Sequence, residues 1–383
     1  MTEGTHLETI CVLPWIHLAT TVDGVWGRCC FDATNDYGHY YYAESEPIFK
    51  LSEDALGCSP RSRYAVDNPE KAFNPSDAFN SPQMRKTRLQ MIRGEQPEAC
   101  KQCYSRESAG LQSHRMAVND EFIPWRDFEA RVAETTADGT LALQPIYLDL
   151  RFGNTCNLSC IMCGFPITSS RREDVPAWAR AAIDPFHDDG EFWEQLERWA
   201  PGLLFVYFAG GEPFLQRGHD RALDLFLRTG AAEHIELRYN SNLTVLPKGG
   251  FARLRSFKKV EISASCDGVG ELFETIRVGG RWDNFVRNVR EARKAVDVLL
   301  DVTVQRENVS GLSALLDFAR TEGLRIWLEN FVDDPPHLSA RALPEADIRV
   351  HSEKITRLIR DCENRGETEI ANQLARIIVY MNT

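Results

Sequence analysis

The stretch Arg151–Cys163, RFGNTCNLSCIMC, places Cys156, Cys160 and Cys163 in the spacing C-x3-C-x2-C. Three thiolates this close together suit a soft metal centre, since thiolate selects zinc, copper(I) or iron–sulfur clusters over hard cations. A [4Fe–4S] cluster offers four irons, so three cysteines leave one iron open to a non-protein ligand. A structural zinc site closes its tetrahedron with a fourth ligand, and the adjacent sequence supplies none. The bland alternative is three core cysteines, because unoxidised cysteine is often buried.

A second cysteine set lies upstream. Cys11 is followed by twelve residues, Gly24, four residues and Cys29, and then by the distant pair Cys100-Lys-Gln-Cys103. Spacing alone leaves a tetrahedral all-thiolate zinc site open for these four. Cys30 adjoins Cys29, and Cys58 stands in a polar loop. About fifty residues beyond the C-x3-C-x2-C stretch comes Gly210-Gly211-Glu212-Pro213. Adjacent glycines let a ligand approach the backbone, whose carbonyls and the Glu212 carboxylate accept bonds from an ammonium group.

These residues need elements to position them. From about residue 146, short apolar runs alternate with amphipathic patterns, the mark of a parallel α/β sheet. The strands are expected at 146–153, 203–211, 234–242, 259–268, 298–308 and 324–332. Helical spacing fills EFWEQLERWA, HDRALDLFLR, WDNFVRNVREARKAV and GLSALLDFAR between them. In the fourth strand, alternation puts Ser263, Ser265 and Asp267 on one face and Ala264 and Cys266 on the other. That gives Cys266 a structural role, and Cys362 in the tail is read likewise. Residues 344–380 read as one or two helices packing on the sheet, with stripes Ile348/Ile355/Leu358/Ile359 and Leu374/Ile377/Ile378. Residues 1–145 read as loop-rich, apart from a helix over Ser81–Gly94 with Ser at its start and Gly at its stop. Such a stretch needs a staple, which the four upstream cysteines can supply.

The C-x3-C-x2-C stretch, the G-G-E-P strand end and the β/α repeats together resemble the radical S-adenosylmethionine (radical SAM) superfamily. Its signature is C-x3-C-x-φ-C with φ usually aromatic; Met162 stands there in this chain. The resemblance implies a partial (β/α)6 barrel over residues 146–335, with the site at the C-terminal edge of the sheet. It implies a [4Fe–4S] cluster on Cys156, Cys160 and Cys163 whose open iron binds SAM. Gly210, Gly211, Glu212 and Pro213 would hold the methionine amine, and Arg277 the SAM carboxylate. Asn240 and Asn242 are candidates for the ribose, and Ser265 and Asp267 for contacts near SAM or substrate. The upstream pattern resembles the SPASM/twitch modules that carry auxiliary [4Fe–4S] clusters, although those usually follow the barrel. With no further cysteines after Cys103 in that region, the shorter twitch form is implied. Its ligands would be Cys11, Cys29, Cys100 and Cys103, with Cys29 chosen over Cys30 by the Gly24 spacing.

The expected organisation is therefore a twitch-like auxiliary domain (1–145), a radical SAM partial barrel (146–335) and a C-terminal helical extension (336–383). The implied function is an enzyme that takes an electron from a flavodoxin or ferredoxin, cleaves SAM and abstracts hydrogen from a substrate. The reading leans to a peptide or protein substrate. The alternatives are a sugar or other small molecule, or a non-catalytic two-cluster electron carrier. A formal charge of −12 argues against nucleic-acid or anionic-membrane partners. No apolar run approaches the roughly 18 residues of a membrane span. Eleven cysteines without a secretion signal point to metal ligation in a reducing compartment, hence the cytoplasm.

Overall fold

A computed structural model of the chain describes residues 8–22, 24, 26–30, 78–124, 128–163 and 184–383. Cys58 and the loop expectation around it lie outside these residues.

Eight strands form one sheet: β1 (His17–Thr20), β2 (Trp26–Gly27), β3 (Tyr147–Leu150), β4 (Phe205–Phe208), β5 (Glu236–Ser241), β6 (Lys259–Ser265), β7 (Asp297–Val304) and β8 (Arg325–Phe331). Their order is β2-β1-β3-β4-β5-β6-β7-β8. Only the β1–β2 pair is antiparallel. All six strands expected from the alternation are present. The sheet stays open at both ends, as a partial barrel does.

The helices, in chain order, are α1 (Leu13–Ile16), α2 (Pro82–Ile92), α3 (Lys101–Ser108), α4 (His114–Phe122), α5 (Phe128–Ala133), α6 (Gly190–Trp199), α7 (Arg217–Arg228), α8 (Glu271–Ile276), α9 (Trp282–Ala292), α10 (Leu312–Glu322), α11 (Glu345–Asn364) and α12 (Thr368–Met381). Local chemistry sets their ends. The Ser81 hydroxyl accepts from Met84 N–H at the start of α2, and the Asp189 carboxylate accepts from Phe192 N–H at the start of α6. Gly323, at φ +59°, closes α10 in the left-handed region.

Burial alternates along β5 and β6, so each has a helix-facing and a lumen-facing side. In β5, Leu237, Tyr239 and Ser241 are buried, while Glu236, Arg238 and Asn240 are half-buried. In β6 the buried set is Val260, Ile262 and Ala264. Cys266 is fully buried on that outer side, as expected, and its Sγ reaches only the Gly268 carbonyl. The tail packs on β8 through α12, with Leu374 and Ile377 fully buried. Gln373 Oε1 accepts from Leu328 N–H at 2.8 Å, satisfying a backbone donor of that end strand.

The upstream segment differs most from expectation. Its described part from residue 82 onward is mostly helical, and residues 17–20 enter the main sheet. β1 pairs in parallel with β3, His17 opposite Tyr147 and Ala19 opposite Asp149. The sheet thus crosses the boundary expected at residue 145. Helix α4 stands over the N-terminal end of the lumen, where Phe122 meets the rings of Tyr147 and Phe205 at 5.7 and 5.1 Å. Arg238 lies over Phe122 and Phe205 and pairs with Glu121.

His219 of α7 is buried between Phe208 and Phe214, its Nε2 3.1 Å from the Tyr239 hydroxyl. Burial pushes its pKa down to about 3. Between pH 6.5 and that value only the unfolded chain binds this proton, so its contribution is complete above pH 6.5 and fades as pH falls. Each unit of pH in that window costs about 1.4 kcal/mol. His219→Gln, which retains a partner for Tyr239, should therefore lose less thermal stability than wild type between pH 7 and pH 5. Equal losses in both proteins would remove His219 from the acid response.

Candidate functional site

The cysteine-bearing loop leaves β3 and is stitched to the C-terminal ends of the next three strands. Gly211 N–H donates to Gly153 O at 3.1 Å and Glu212 N–H to Thr155 O at 2.8 Å. Gln216 Nε2 adds a bond to Thr155 O at 2.9 Å. Beyond β6, Val278 O accepts from Ser159 N–H and Ile276 O from Ile161 N–H, at 2.8 and 3.0 Å. From the end of β5, Asn242 Nδ2 donates to Asn157 Oδ1 at 3.0 Å and lies 3.8 Å from Cys156 Sγ.

The backbone of the cysteine loop lies against the G-G-E-P glycines. A Cβ added at Gly211 would come within 2.6 Å of Asn154 C and O, and closer still to Thr155 O. Gly210, at φ +111°, lies against Gly153 in the same way. Glu212 is fully buried. Its Oε1 accepts from Ser241 Oγ at 2.8 Å and Phe214 N–H at 3.3 Å, and its Oε2 from Asn242 N–H at 2.8 Å. Burial lifts its pKa to about 7, against the pull of those three donors. This carboxylate ties the ends of β4 and β5 together. Pro213 follows, buried, as the first residue of a 3₁₀ turn.

Cys156, Cys160 and Cys163 lie within electrostatic range of one another. The Cys163 and Cys160 thiols hydrogen-bond each other, which with Arg277 alongside lowers the Cys160 pKa and raises that of Cys163. Met162 is half-buried in the turn between them. Arg277, which follows α8, is turned inward with only 8 % of its side chain exposed. Its Nη1 lies 3.8 Å from Cys160 Sγ and its Nη2 2.7 Å from Asp267 Oδ2. Asp267 Oδ1 accepts from Thr303 N–H at 2.8 Å. Asp267 Oδ2 and Arg277 Nε nonetheless lack a well-aligned hydrogen bond. Buried polar atoms of this kind are costly unless something else completes them.

The remaining expected residues divide between two places. Asn242 serves the cysteine loop, whereas Asn240 and the half-buried Ser265 line the lumen. There Asn240 Nδ2 and Asn330 Nδ2 reach the Asp301 carboxylate at 3.4 and 2.6 Å. Burial raises the Asp301 pKa to about 7. Sequence reasoning missed Asp301, Thr303 and Gln305, although strand alternation from the lumen-facing Asp301 marks all three.

Among the described residues, no three His, Cys, Asp or Glu side chains are placed to hold a single metal ion. A cubane differs in spreading its ligands over four irons. Three soft donors beside the buried Asp267–Arg277 pair fit a cluster with an open iron and a small polar ligand.

Upstream, Cys11 lies within electrostatic range of Cys100 and Cys103. The strand of chain carrying Cys11 is pinned to α3 and α4. Tyr104 Oη donates to Thr9 O, while Arg115 Nη1 and Asn119 Nδ2 both donate to Ile10 O. Cys29 is half-buried against the core. Cys30 is exposed to solvent, yet lies within electrostatic range of Asp149, Arg151 and Cys103. Cys30 therefore sits beside the end of β3.

Residues 150–319 match the profile of the Radical SAM superfamily, so the chain carries a radical SAM domain. Among solved structures it is similar to native anSMEcpe with bound AdoMet, at 17 % identity over 49 % of this chain and 52 % of that one, with a TM-score of 0.39. It is also similar to Streptococcus suis SuiB, at 18 % identity over 74 % and 63 %, TM-score 0.42. SuiB bound to precursor peptide SuiA gives 16 % identity over 76 % and 65 %, TM-score 0.44. The chain thus spans about half to two thirds of the length of these proteins. No curated protein matches it.

Proposed function

We propose that this chain is a radical SAM enzyme. The observation that carries the reading is the cysteine loop. Residues 153–161 are bonded to the ends of β4, β5 and the β6 connection, with Arg277 and Asp267 beside Cys160. Cys156, Cys160 and Cys163 would hold a [4Fe–4S] cluster with one open iron. When bound, that cluster supplies the electron that splits SAM into methionine and a 5′-deoxyadenosyl radical, which abstracts hydrogen from substrate. The chain's own residues do the rest. Arg277 offers a cation to the SAM carboxylate, and the Gly210–Glu212 edge offers carbonyls to its amine. Helix α4, packed over the N-terminal end of the lumen, would keep water from a reactive radical on that side.

Cys11, Cys29, Cys100 and Cys103 would carry an auxiliary [4Fe–4S] cluster with no open iron, and a flavodoxin or ferredoxin would donate the electron. A peptide or protein substrate is favoured. A short precursor-peptide gene beside this one would support it, and a sugar pathway the small-molecule alternative.

Iron-loaded protein given dithionite should convert SAM to 5′-deoxyadenosine and methionine, slowly even without substrate. The Cys156→Ala/Cys160→Ala/Cys163→Ala variant should do neither. Fully loaded protein that yields no 5′-deoxyadenosine under several reductants and with candidate substrates would instead favour an electron carrier.

A further inference from the structure

Helix α2 presents two unlike faces. Inward, Met84, Thr87, Arg88 and Met91 are buried at helical spacing. Outward, Arg85, Lys86, Leu89 and Arg93 line a shallow groove of about 390 Å³. Six basic residues meet only two acidic ones between positions 82 and 106, in a chain whose formal charge is −12. Asp138 pairs with Arg85 at 2.7 Å. Lys86 and Arg93 are exposed and make no ion pair among the described residues. The first turn of α2 holds no acidic residue, although the helix dipole favours one there.

The inner face of α2 is tied to the segments that bear the upstream cysteines. Thr87 Oγ1 accepts from Arg28 Nη1 at 2.9 Å, beside Cys29 in sequence. Met91 O accepts from Thr9 Oγ1 at 3.2 Å, two residues before Cys11. The chain that leaves α2 runs on to Cys100. A helix with its side chains is about 10–12 Å across, so a protein seated in the groove stands roughly one helix width from these segments.

Charge decides the occupant. An acidic protein is repelled by a chain of this net charge except where the sign is locally reversed. Complementarity at the groove therefore fixes where such a partner lands and speeds its arrival. The groove has room for a partner's loop tip, with acidic side chains on Lys86 and Arg93 and an apolar one on Leu89. A substrate peptide is a poorer occupant, because hydrogen abstraction needs it in the lumen and this helix backs onto the cysteine-bearing segments.

We propose that the outer face of α2 docks an acidic electron-donor protein beside the upstream cysteine centre, so that its electron enters the chain there. One electron leaves the donor and one enters the centre, and no atom is transferred. This rests on the assignment of a cluster to Cys11, Cys29, Cys100 and Cys103.

The test is calorimetric titration of the full iron-loaded chain at low salt with an acidic flavodoxin and, separately, an acidic ferredoxin. Wild type should bind at least one of them, and more weakly as salt is added. Lys86→Glu/Arg93→Glu changes two exposed residues, so it should keep its iron and melting point, yet bind the donor roughly tenfold more weakly or worse. Lys86→Gln/Arg93→Gln should fall between the two. Stopped-flow reduction by the same donor should slow by a similar factor in the charge-reversed variant. Reduction by dithionite, which needs no docking, should be unchanged.

Equal donor affinity in wild type and the charge-reversed variant would overturn the proposal, as would binding of neither donor by wild type. Equal slowing with donor and with dithionite would also overturn it, making α2 a support of the centre and not a docking face. Lost binding of a substrate peptide with donor binding intact would assign the groove to an acidic peptide instead. Wild-type protein that takes up only about four irons, all lost in the Cys156/Cys160/Cys163 variant, would defeat the underlying cluster assignment. Iron content alone tells that result from the others.

Discussion

Replacing Cys156, Cys160 and Cys163 together with alanine is expected to take anaerobically reconstituted protein from about eight irons to about four. Eight irons correspond to two cubanes, one on this trio and one on Cys11, Cys29, Cys100 and Cys103. The trio's loop hangs on the ends of β4 to β6, whereas Cys11, Cys100 and Cys103 are gathered by α3 and α4. The two cysteine sets hang on different elements, so the upstream iron should survive loss of the trio. Alanine at any of the four upstream positions should conversely remove up to half the iron, and Cys30→Ala should remove none. Iron lost on Cys30→Ala but retained on Cys29→Ala would move that ligand by one residue. Wild-type protein rich in zinc and poor in iron would end the cluster assignment at both places.

A second large effect is expected from Gly211→Val. A side chain at this position has no route to open space, because the backbone at Asn154 and Thr155 already lies inside contact distance of a Cβ. Overpacking of this kind costs about 1–3 kcal/mol where neighbours can shift. Here the neighbour that must shift is the loop carrying Cys156. Gly211→Val should therefore lose about four irons and SAM binding together, and Gly211→Ala should show a weaker form of the same loss. Iron analysis decides the point. Full iron with weakened SAM binding would mean that Gly211 serves the ligand directly and not the loop.

The barrel strands were legible because each is a short apolar run with polar neighbours on the lumen face, bounded by turn residues. The two tail helices were legible from their apolar stripes. In the upstream segment helix α2 was legible from Ser81 at its start and Gly94 at its stop, but the face it buries was not, and Arg88 shows why. Helix α2 buries Met84, Thr87, Arg88 and Met91, so half of its inner stripe is polar in sequence. Arg88 is tolerated inside because its guanidinium donates to the carbonyls of Pro14, Phe79 and Gly139 and to Asn80 Oδ1. No periodicity reveals such an arrangement. β1 was unreadable for a different reason: His-Leu-Ala-Thr is too short to show alternation, and its partner strand is remote.

In the site, spacing exposed the cysteines and the G-G-E-P end, because both depend on local geometry. The sequence did not disclose that Gly211 makes room for Asn154 and Thr155, or that Glu212 secures Ser241 and Asn242. Each of these joins chain segments at least 29 residues apart. Arg277 was singled out by resemblance; its inward pairing with Asp267 against Cys160 required the fold.

The pairing of β1 with β3 bears on how the protein is made. Thr20 Oγ1 donates to Asp149 O across 129 residues of sequence, and Ile146 N–H donates to Ile16 O beside it. Closing a flexible loop of that length costs ~4 kcal/mol of chain entropy beyond a constant, and contacts so distant in sequence slow folding. In order of synthesis β1 emerges long before β3 exists to receive it. Cys11 and Cys29 likewise wait on Cys100 and Cys103. If these cysteines hold the cluster proposed above, its loading must follow synthesis of Cys103, so it falls late in the making of the upstream segment.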